Sequence, residues 1–506
     1  MRLRFSKSVA RSIWSAPGSA RRWKLGSGLL LVAAAASALV SLVSCGGSSS
    51  TMMTAQTGNI KVTLTDPPSC KFPNGAFEHV YVTIRSVQAN ISAAAVDSSP
   101  GWQELAPQLN SAPMQIDLFS AASNTCLLTA LGSNAALPAG TYQQIRLLLV
   151  PNDGTGGATP STNACASSGF NCVVLHGGTV AELKLSSQAN TGLKIPAGQV
   201  QGGPITVAPG QDVDLNIDFN ACASILREGN GEFRLKPVLT AEQVSTNTTG
   251  ISGTIVDAGT QAPISGGTVL VALERKDATG ADAIFLETTA DSSGMFNFCP
   301  LPAGAMFDVV ATSLTTGGVA YNATILLNVP GGTNLGRIPL QAETGPATGP
   351  ATLHGAITAA SGANPATIDA TVTPQQQVTV SGGAILQVAI PVFPGSTTNI
   401  SVDSNTTSSC SSMMVTGANC GPYKLIVPAS NPKVGAFSGG TVTYMGPAGG
   451  AVGYTVRADS FAPMGGGATI CSPATKSTNL NSASAPLTVT AGTITEVQEI
   501  DFTGCS

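Results

Sequence analysis

At 506 residues the chain exceeds one ordinary domain and implies roughly two to four. Charged residues are only 10 % against 43 % hydrophobic, with 57 Gly and 32 Pro, which excludes disorder by charge excess and suits strands joined by tight turns. The formal charge of −4 becomes −11 once residues 1–44, with seven basic and no acidic residues, are removed (16 basic against 27 acidic), so nucleic acid is a poor partner.

The N-terminus carries Arg2, Arg4, Lys7, Arg11, Arg21, Arg22 and Lys24 ahead of an apolar run from Leu25 to Ser44, the layout of an export signal peptide. The run ends at Leu42-Val43-Ser44-Cys45, which resembles a bacterial lipobox. That resemblance implies cleavage before Cys45 and a diacylglyceryl group on its thiol, with residues 45–57 as a flexible tether opening on Gly46-Gly-Ser-Ser-Ser50. The alternative, an uncleaved signal anchor, does not need a cysteine at this spot. Arg21-Arg22 faintly resembles a twin-arginine signal, although paired arginines also serve simply as positive charge. Gly46 is not the aspartate that retains enteric lipoproteins in the inner membrane, so outer-membrane attachment is expected.

Beyond the tether, residues 58–244 form a first block. Ile60 to Thr65, His79 to Arg85 and Asp212 to Phe219 alternate apolar and polar residues, the period of a half-buried strand. Gln144 to Val150, Gly178 to Leu185 and Phe233 to Val238 supply more strands. The order Leu64-Thr-Asp66, Trp102-Gln-Glu-Leu105, Ile116-Asp-Leu118, Leu137-Pro-Ala-Gly-Thr-Tyr-Gln-Gln-Ile-Arg146, Gly192-Leu-Lys194, Asp218-Phe219 and Leu235-Lys-Pro-Val238 resembles the domain-of-unknown-function family numbered 4382, common in bacterial lipoproteins. The resemblance implies no catalytic residues.

Residues 250–340 form a second block. Asp291-x-x-Gly294-x-Phe296, followed by Leu301-Pro-Ala-Gly304, resembles a carboxypeptidase regulatory-like module, a transthyretin-like sandwich without chemistry of its own. Met306-Phe307 stands where that family usually has Tyr. Residues 341–350 read as a linker, and 351–506 as a β-rich C-terminal domain, a degenerate sandwich by its opening Thr352-Leu-His-Gly-Ala-Ile-Thr358. The fold class is therefore all-β: serial β-sandwich domains behind a lipoprotein signal peptide.

Setting aside Cys45, ten of the eleven cysteines remain, an even number for an oxidising compartment. Cys165 with Cys172, and Cys410 with Cys420, are close enough to staple single loops, and Cys471 with Cys505 would pin the C-terminal strand. Pairing among Cys70, Cys126, Cys222 and Cys299 stays open, a bridge between blocks included. Zinc is disfavoured because no Cys-x-x-Cys and no nearby His occur.

Catalytic motifs are absent: no Gly-x-Ser-x-Gly, no His-Glu-x-x-His, no phosphate-binding loop, and only His79, His176 and His354 on separate strands. Asp212, Asp214, Asn216 and Asp218 mimic half a calcium loop, but Ile217 stands where the glycine turn is required, so a solvated strand face is expected. No catalytic residue, cofactor or metal is assigned. The expected function is a non-catalytic envelope lipoprotein that binds or spaces. Its partners would be the membrane, through the N-terminal lipid, and an envelope protein or polysaccharide. A carbohydrate-binding lipoprotein is the alternative, and an uncatalogued hydrolase a remote third. Trp102 is the only tryptophan left after processing, which weakens a sugar platform.

Lipidation yields a direct test. Cys45→Ser leaves an unprocessed precursor that takes up no labelled fatty acid; normal maturation with labelling of this variant would refute the assignment.

Overall fold

The computed structural model describes residues 56–505, apart from 66–75, 122–128, 186–190, 196–199, 202, 229, 237, 245–248, 277–279, 302–303, 345–347, 380–384, 408–409, 411–416, 447–450 and 462–470. The signal peptide, Cys45, Cys70, Cys126 and the side chain of Cys222 lie outside the described residues. Residues 55–506 group as one compact unit.

The first block is a sandwich. One sheet sets β1 (Thr57–Thr65) between β2 (Thr129–Pro138), antiparallel to it, and the central strand β3 (Asp212–Phe219), parallel to it, with β4 (Leu239–Val244) beyond β3. The facing sheet is built on Phe77–Asn90, which pairs with Gln144–Leu149 and Cys172–Leu175. Alternation decides what faces what. Ile60, Val62 and Leu64 meet Val80, Val82 and Ile84 in a shared core, together with Leu215, Ile217 and Phe219. On the facing sheet, β5 (Phe233–Leu235) buries Phe233 and Leu235 in that core, and Arg234 and Lys236 alternate with them.

In the second block, a three-stranded sheet around Thr249–Asp257 faces a six-stranded one. The larger sheet runs β6 (Gly267–Lys276), β7 (Asp282–Thr289), β8 (Met306–Thr315) and β9 (Ala320–Pro330), in the spatial order β7-β6-β8-β9. Gly294 adopts φ +79° in the turn before Phe296, and a Cβ there would meet Ile255 O at 2.3 Å. Phe296 and Phe298 then enter one face of the core, their rings 5.8 Å apart. Met306 is exposed, and Phe307 fills the core position beside it.

The third block packs a sheet on β10 (Ala351–Ser361) against one on β11 (Ile368–Thr379). β12 (Ile385–Ala389), β13 (Asn399–Val402) and β15 (Val452–Phe461) all pair with β11. β14 (Lys433–Ser438) leaves this block and adds to the second block's larger sheet, parallel to β9 from Thr324↔Lys433 to Leu327↔Ala436. That sheet is consequently covered on both faces. Val309, Ala311 and Leu326 enter the second block's core, while Val310, Ala323, Ile325 and Leu327 enter the third block's. Adjacent buried apolar residues, Val309 with Val310 on β8 and Ile325 with Leu326 on β9, supply the two faces of this double burial.

Residues 341–350, expected as a linker, are held on both sides of the undescribed 345–347. Ala342 bridges Tyr321, and Ala320 N donates to Thr348 O. Glu343 is buried and accepts from Ala429 N at 2.9 Å and from the Ser430 hydroxyl. Both carboxyl oxygens are met by backbone and hydroxyl donors, which ties the two blocks at the join.

Cys165–Cys172, Cys410–Cys420 and Cys471–Cys505 are disulfide-bonded, closing separations of 7, 10 and 34 residues. Cys299 is disulfide-bonded as well. Chain-entropy arguments make the longest loop the most valuable. Replacing Cys471 and Cys505 by Ala costs about 4 kcal/mol, and replacing Cys165 and Cys172 about 2.5 kcal/mol. Denaturant melts of the two double variants check the order; equal losses would show that loop length does not govern them.

Candidate functional site

Three polar clusters are withdrawn from water in this β protein. The most elaborate lies where the first block meets the third. Arg234 is held by a fork on Asp369, with Nη2 to Oδ1 at 2.7 Å and Nη1 to Oδ2 at 3.0 Å, while Nε donates to Glu228 Oε1 at 2.8 Å. The Asp369 side chain has no exposure, so the pair works at low dielectric; removing one partner of such a pair costs ~3–5 kcal/mol. Burial pushes the Asp369 carboxyl up, and Arg234 opposes that push.

Lys236, two residues on, is 2 % exposed. Its Nζ donates to Thr371 Oγ1 at 2.6 Å and to Asn399 Oδ1 at 3.3 Å, and sits 4.5 Å from the centre of the Phe461 ring. Strand register assembles these partners. Asp369 and Thr371 stand two apart on β11, and Thr371 lies directly opposite Asn399 of β13. Phe461 of β15 lies opposite Asp369. Burial lowers the Lys236 pKa to about 8, against the attraction of Asp369 and Asp459.

The second cluster corrects an expectation. Asp212, Asp214, Asn216 and Asp218 do not form a solvated face: burial deepens along β3 until Asn216 and Asp218 are 4 % and 6 % exposed. The parallel neighbour β1 supplies a matching polar row, in register from Asn59↔Asp212 to Thr65↔Asp218. Asn59 Nδ2 donates to Asp212 Oδ1 at 2.8 Å, Thr63 Oγ1 to Asn216 Oδ1 at 3.1 Å and Thr65 Oγ1 to Asp218 Oδ1 at 3.2 Å. These rungs run between strands and do not converge on one point. Glu242 of β4, opposite Asn216, joins them with Oε2 unpartnered among the described residues. Burial raises Asp218 to about 7, and burial together with the Asp218 charge raises Glu242 to about 8.

The third cluster is at the outer end of β6. Glu274 is fully buried and accepts from Ala389 N of β12 at 3.1 Å; burial and then Asp282 push its carboxyl well up. Lys276 Nζ meets Asp282 Oδ1 at 2.5 Å, and Asp308 Oδ1 accepts from Asn328 N at 2.7 Å. Burial raises Asp308 to about 6.

The histidines do not assemble. His79 meets Asp117 at 2.8 Å, His176 meets Glu78 at 3.5 Å and His354 meets Glu496 at 2.9 Å, three separate pairs. Trp102 carries the Arg146 guanidinium over its ring at 3.9 Å and donates Nε1–H to Val96 O. Gly192, at φ +83°, lets the next chain pass against Arg146. Tyr142, Tyr423 and Tyr454 are buried. The motif residues Trp102, Tyr142, Arg146 and Gly192 therefore pack and turn the first block. Sequence reasoning did not single out Arg234, Lys236, Glu242, Glu274 or Asp369. Only the Leu235-Lys-Pro-Val238 motif pointed near them, because an isolated charge in a strand ordinarily reads as solvent-facing. Among the described residues no group of three His, Cys, Asp or Glu is placed to hold a metal, and no helix is long and apolar enough to cross a membrane.

Residues 57–237 match a family described as a domain of unknown function (DUF4382). No curated protein matches the chain. Among solved structures, it is similar to the shaft pilin SpaA of Lactobacillus rhamnosus GG at 11 % identity, covering 57 % of this chain and 98 % of that one, TM-score 0.17. A putative adhesin from Bacteroides ovatus ATCC 8483 is similar at 10 % identity, 52 % and 94 % coverage, TM-score 0.16. So is the minor pilin GBS52 of Streptococcus agalactiae, at 10 % identity, 51 % and 97 % coverage, TM-score 0.16. At such scores these likenesses carry no argument about function.

The Asp218–Glu242 pair makes stability depend on pH. Both carboxyls have folded pKa values above their unfolded ones, so their protonation favours the folded state in acid. This contribution is fully present below about pH 4 and is lost as pH rises through about 7 and 8. Glu242→Gln therefore stabilises by ~1–2 kcal/mol at pH 9 and changes little at pH 4. Thermal melts of both proteins across that range check it; parallel curves would refute it.

Proposed function

We propose that this chain is an exported envelope lipoprotein, held by lipid on Cys45, probing its surroundings as a rigid β spacer with a binding surface and no turnover. The observation that carries this reading is the joining of the blocks: β14 completes a sheet of the second block, and Arg234 of the first is forked onto Asp369 of the third. A body so joined resists bending between modules, which suits spacing and presenting. The loop stapled by Cys165–Cys172 loses less entropy when a partner engages it. The separate pairing of His79, His176 and His354 gives an acid–base reaction no common centre.

Block two is read as a carboxypeptidase regulatory-like sandwich, supported by the Gly294 turn and the paired Phe296 and Phe298. Gly46, in the place of the aspartate that retains lipoproteins in the inner membrane, favours attachment to the outer membrane, facing an envelope protein or polysaccharide. The sugar-binding alternative is less favoured, since Arg146 already occupies a face of Trp102.

Envelope extracts passed over the mature chain, beside a hydrolase panel of esters, peptides and glycosides, test the reading. Retention of one defined protein or polysaccharide without turnover is expected. Turnover that persists through purification and vanishes with a single polar substitution would overturn it.

A further inference from the structure

We propose that Lys236 and Asn399 are set to form an intramolecular amide, a covalent cross-link that joins the first block to the third. The two residues are 163 apart in sequence, yet Lys236 Nζ lies 3.3 Å from Asn399 Oδ1. Thr371 stands between them. Its Oγ1 accepts from Nζ at 2.6 Å and donates to the same Oδ1 at 3.0 Å. An amine, a carboxamide and a hydroxyl bonded to both are thus collected in one place.

The setting suits the reaction. Lys236 is 2 % exposed, and the Phe461 ring lies against its Nζ. Hydrolysis therefore has little water to draw on, and the amine is poorly solvated. Burial lowers its pKa to about 8, so about a tenth of the side chain is free amine at neutral pH. Neighbouring charges are balanced: Asp369, forked on Arg234, and Asp459, held by Arg457, act on Lys236 from β11 and β15. Holding nucleophile and carbonyl together makes an otherwise negligible aminolysis effectively unimolecular.

The step balances without an oxidant or a metal. Neutral Nζ attacks Asn399 Cγ, and the Nζ–Cγ bond forms. The Thr371 hydroxyl takes a proton from Nζ and passes its own to Oδ1, giving a neutral tetrahedral adduct. The adduct collapses as the Oδ1 proton moves to Nδ2, the Cγ–Nδ2 bond breaks and ammonia leaves. A primary amide and an amine have become a secondary amide and ammonia. Asn399, Lys236 and Thr371 are the reacting and proton-carrying groups; Asp369 is a positioning residue that keeps Arg234 and its own strand in place.

Peptide mapping of the reduced full-length protein tests this. The peptide containing Lys236 should be joined to the one containing Asn399, with a combined mass about 17 Da below their sum. Asn399→Ala should abolish the joined species. Asn399→Asp keeps the fold and should restore a link, with loss of water in place of ammonia. Thr371→Val should lower the joined fraction at least tenfold. Recovery of both linear peptides at full mass from the unaltered protein would overturn the proposal. So would a 17 Da loss confined to one linear peptide.

Discussion

A charge taken out of water has to be met by another charge or by aimed dipoles, and that requirement orders this molecule. Asp369 has no exposure of its own, so Arg234 must reach it from another part of the chain and keep both nitrogens of its fork engaged. Lys236 follows on the same face of β5 and finds a hydroxyl, a carboxamide and an aromatic ring. Apolar packing alone would leave two sandwiches free to slide. The fork specifies one docking, because its geometry fails with a shift of a single strand position.

The same demand acts in the second block by a different route. Glu274 points out of its own sheet and accepts through Oε2 from the backbone N–H of Ala389, in a strand of the third block. Glu343 does likewise with Ala429 and Ser430. Together with β14 crossing to pair with β9, these contacts make the second and third blocks share a sheet and its two faces. An edge strand that would otherwise present unpaired N–H and C=O groups is closed by a neighbour from within the chain.

The polar ladder between β1 and β3 shows how parallel register can conceal acidic groups. Asp212, Asn216 and Asp218 of β3 each meet the side chain at the equivalent position of β1, so these groups are paired off along the strands. Asp218 and Glu242 are left sharing a buried corner, and two like groups so placed resist ionising together. The consequence is a protein whose interior prefers acid to alkali at that corner.

Much of the architecture was legible in the chain itself. Period-two alternation in Ile60–Thr65 and Asp212–Phe219 marked strands, and the spacing of Cys165 and Cys172 suited a loop staple, because these are local properties of neighbouring residues. The partners of Arg234, Lys236, Glu242 and Glu274 were not legible. Each is met by a residue that the sequence holds at a distance, and a charged side chain in a strand has the same local pattern whether it faces water or another sheet. Asn216 and Asp218 were assigned to solvent for that reason. Composition and periodicity determined that the chain is β throughout; only tertiary structure decided which polar residues would lose their water, since that depends on which strands meet and in what register.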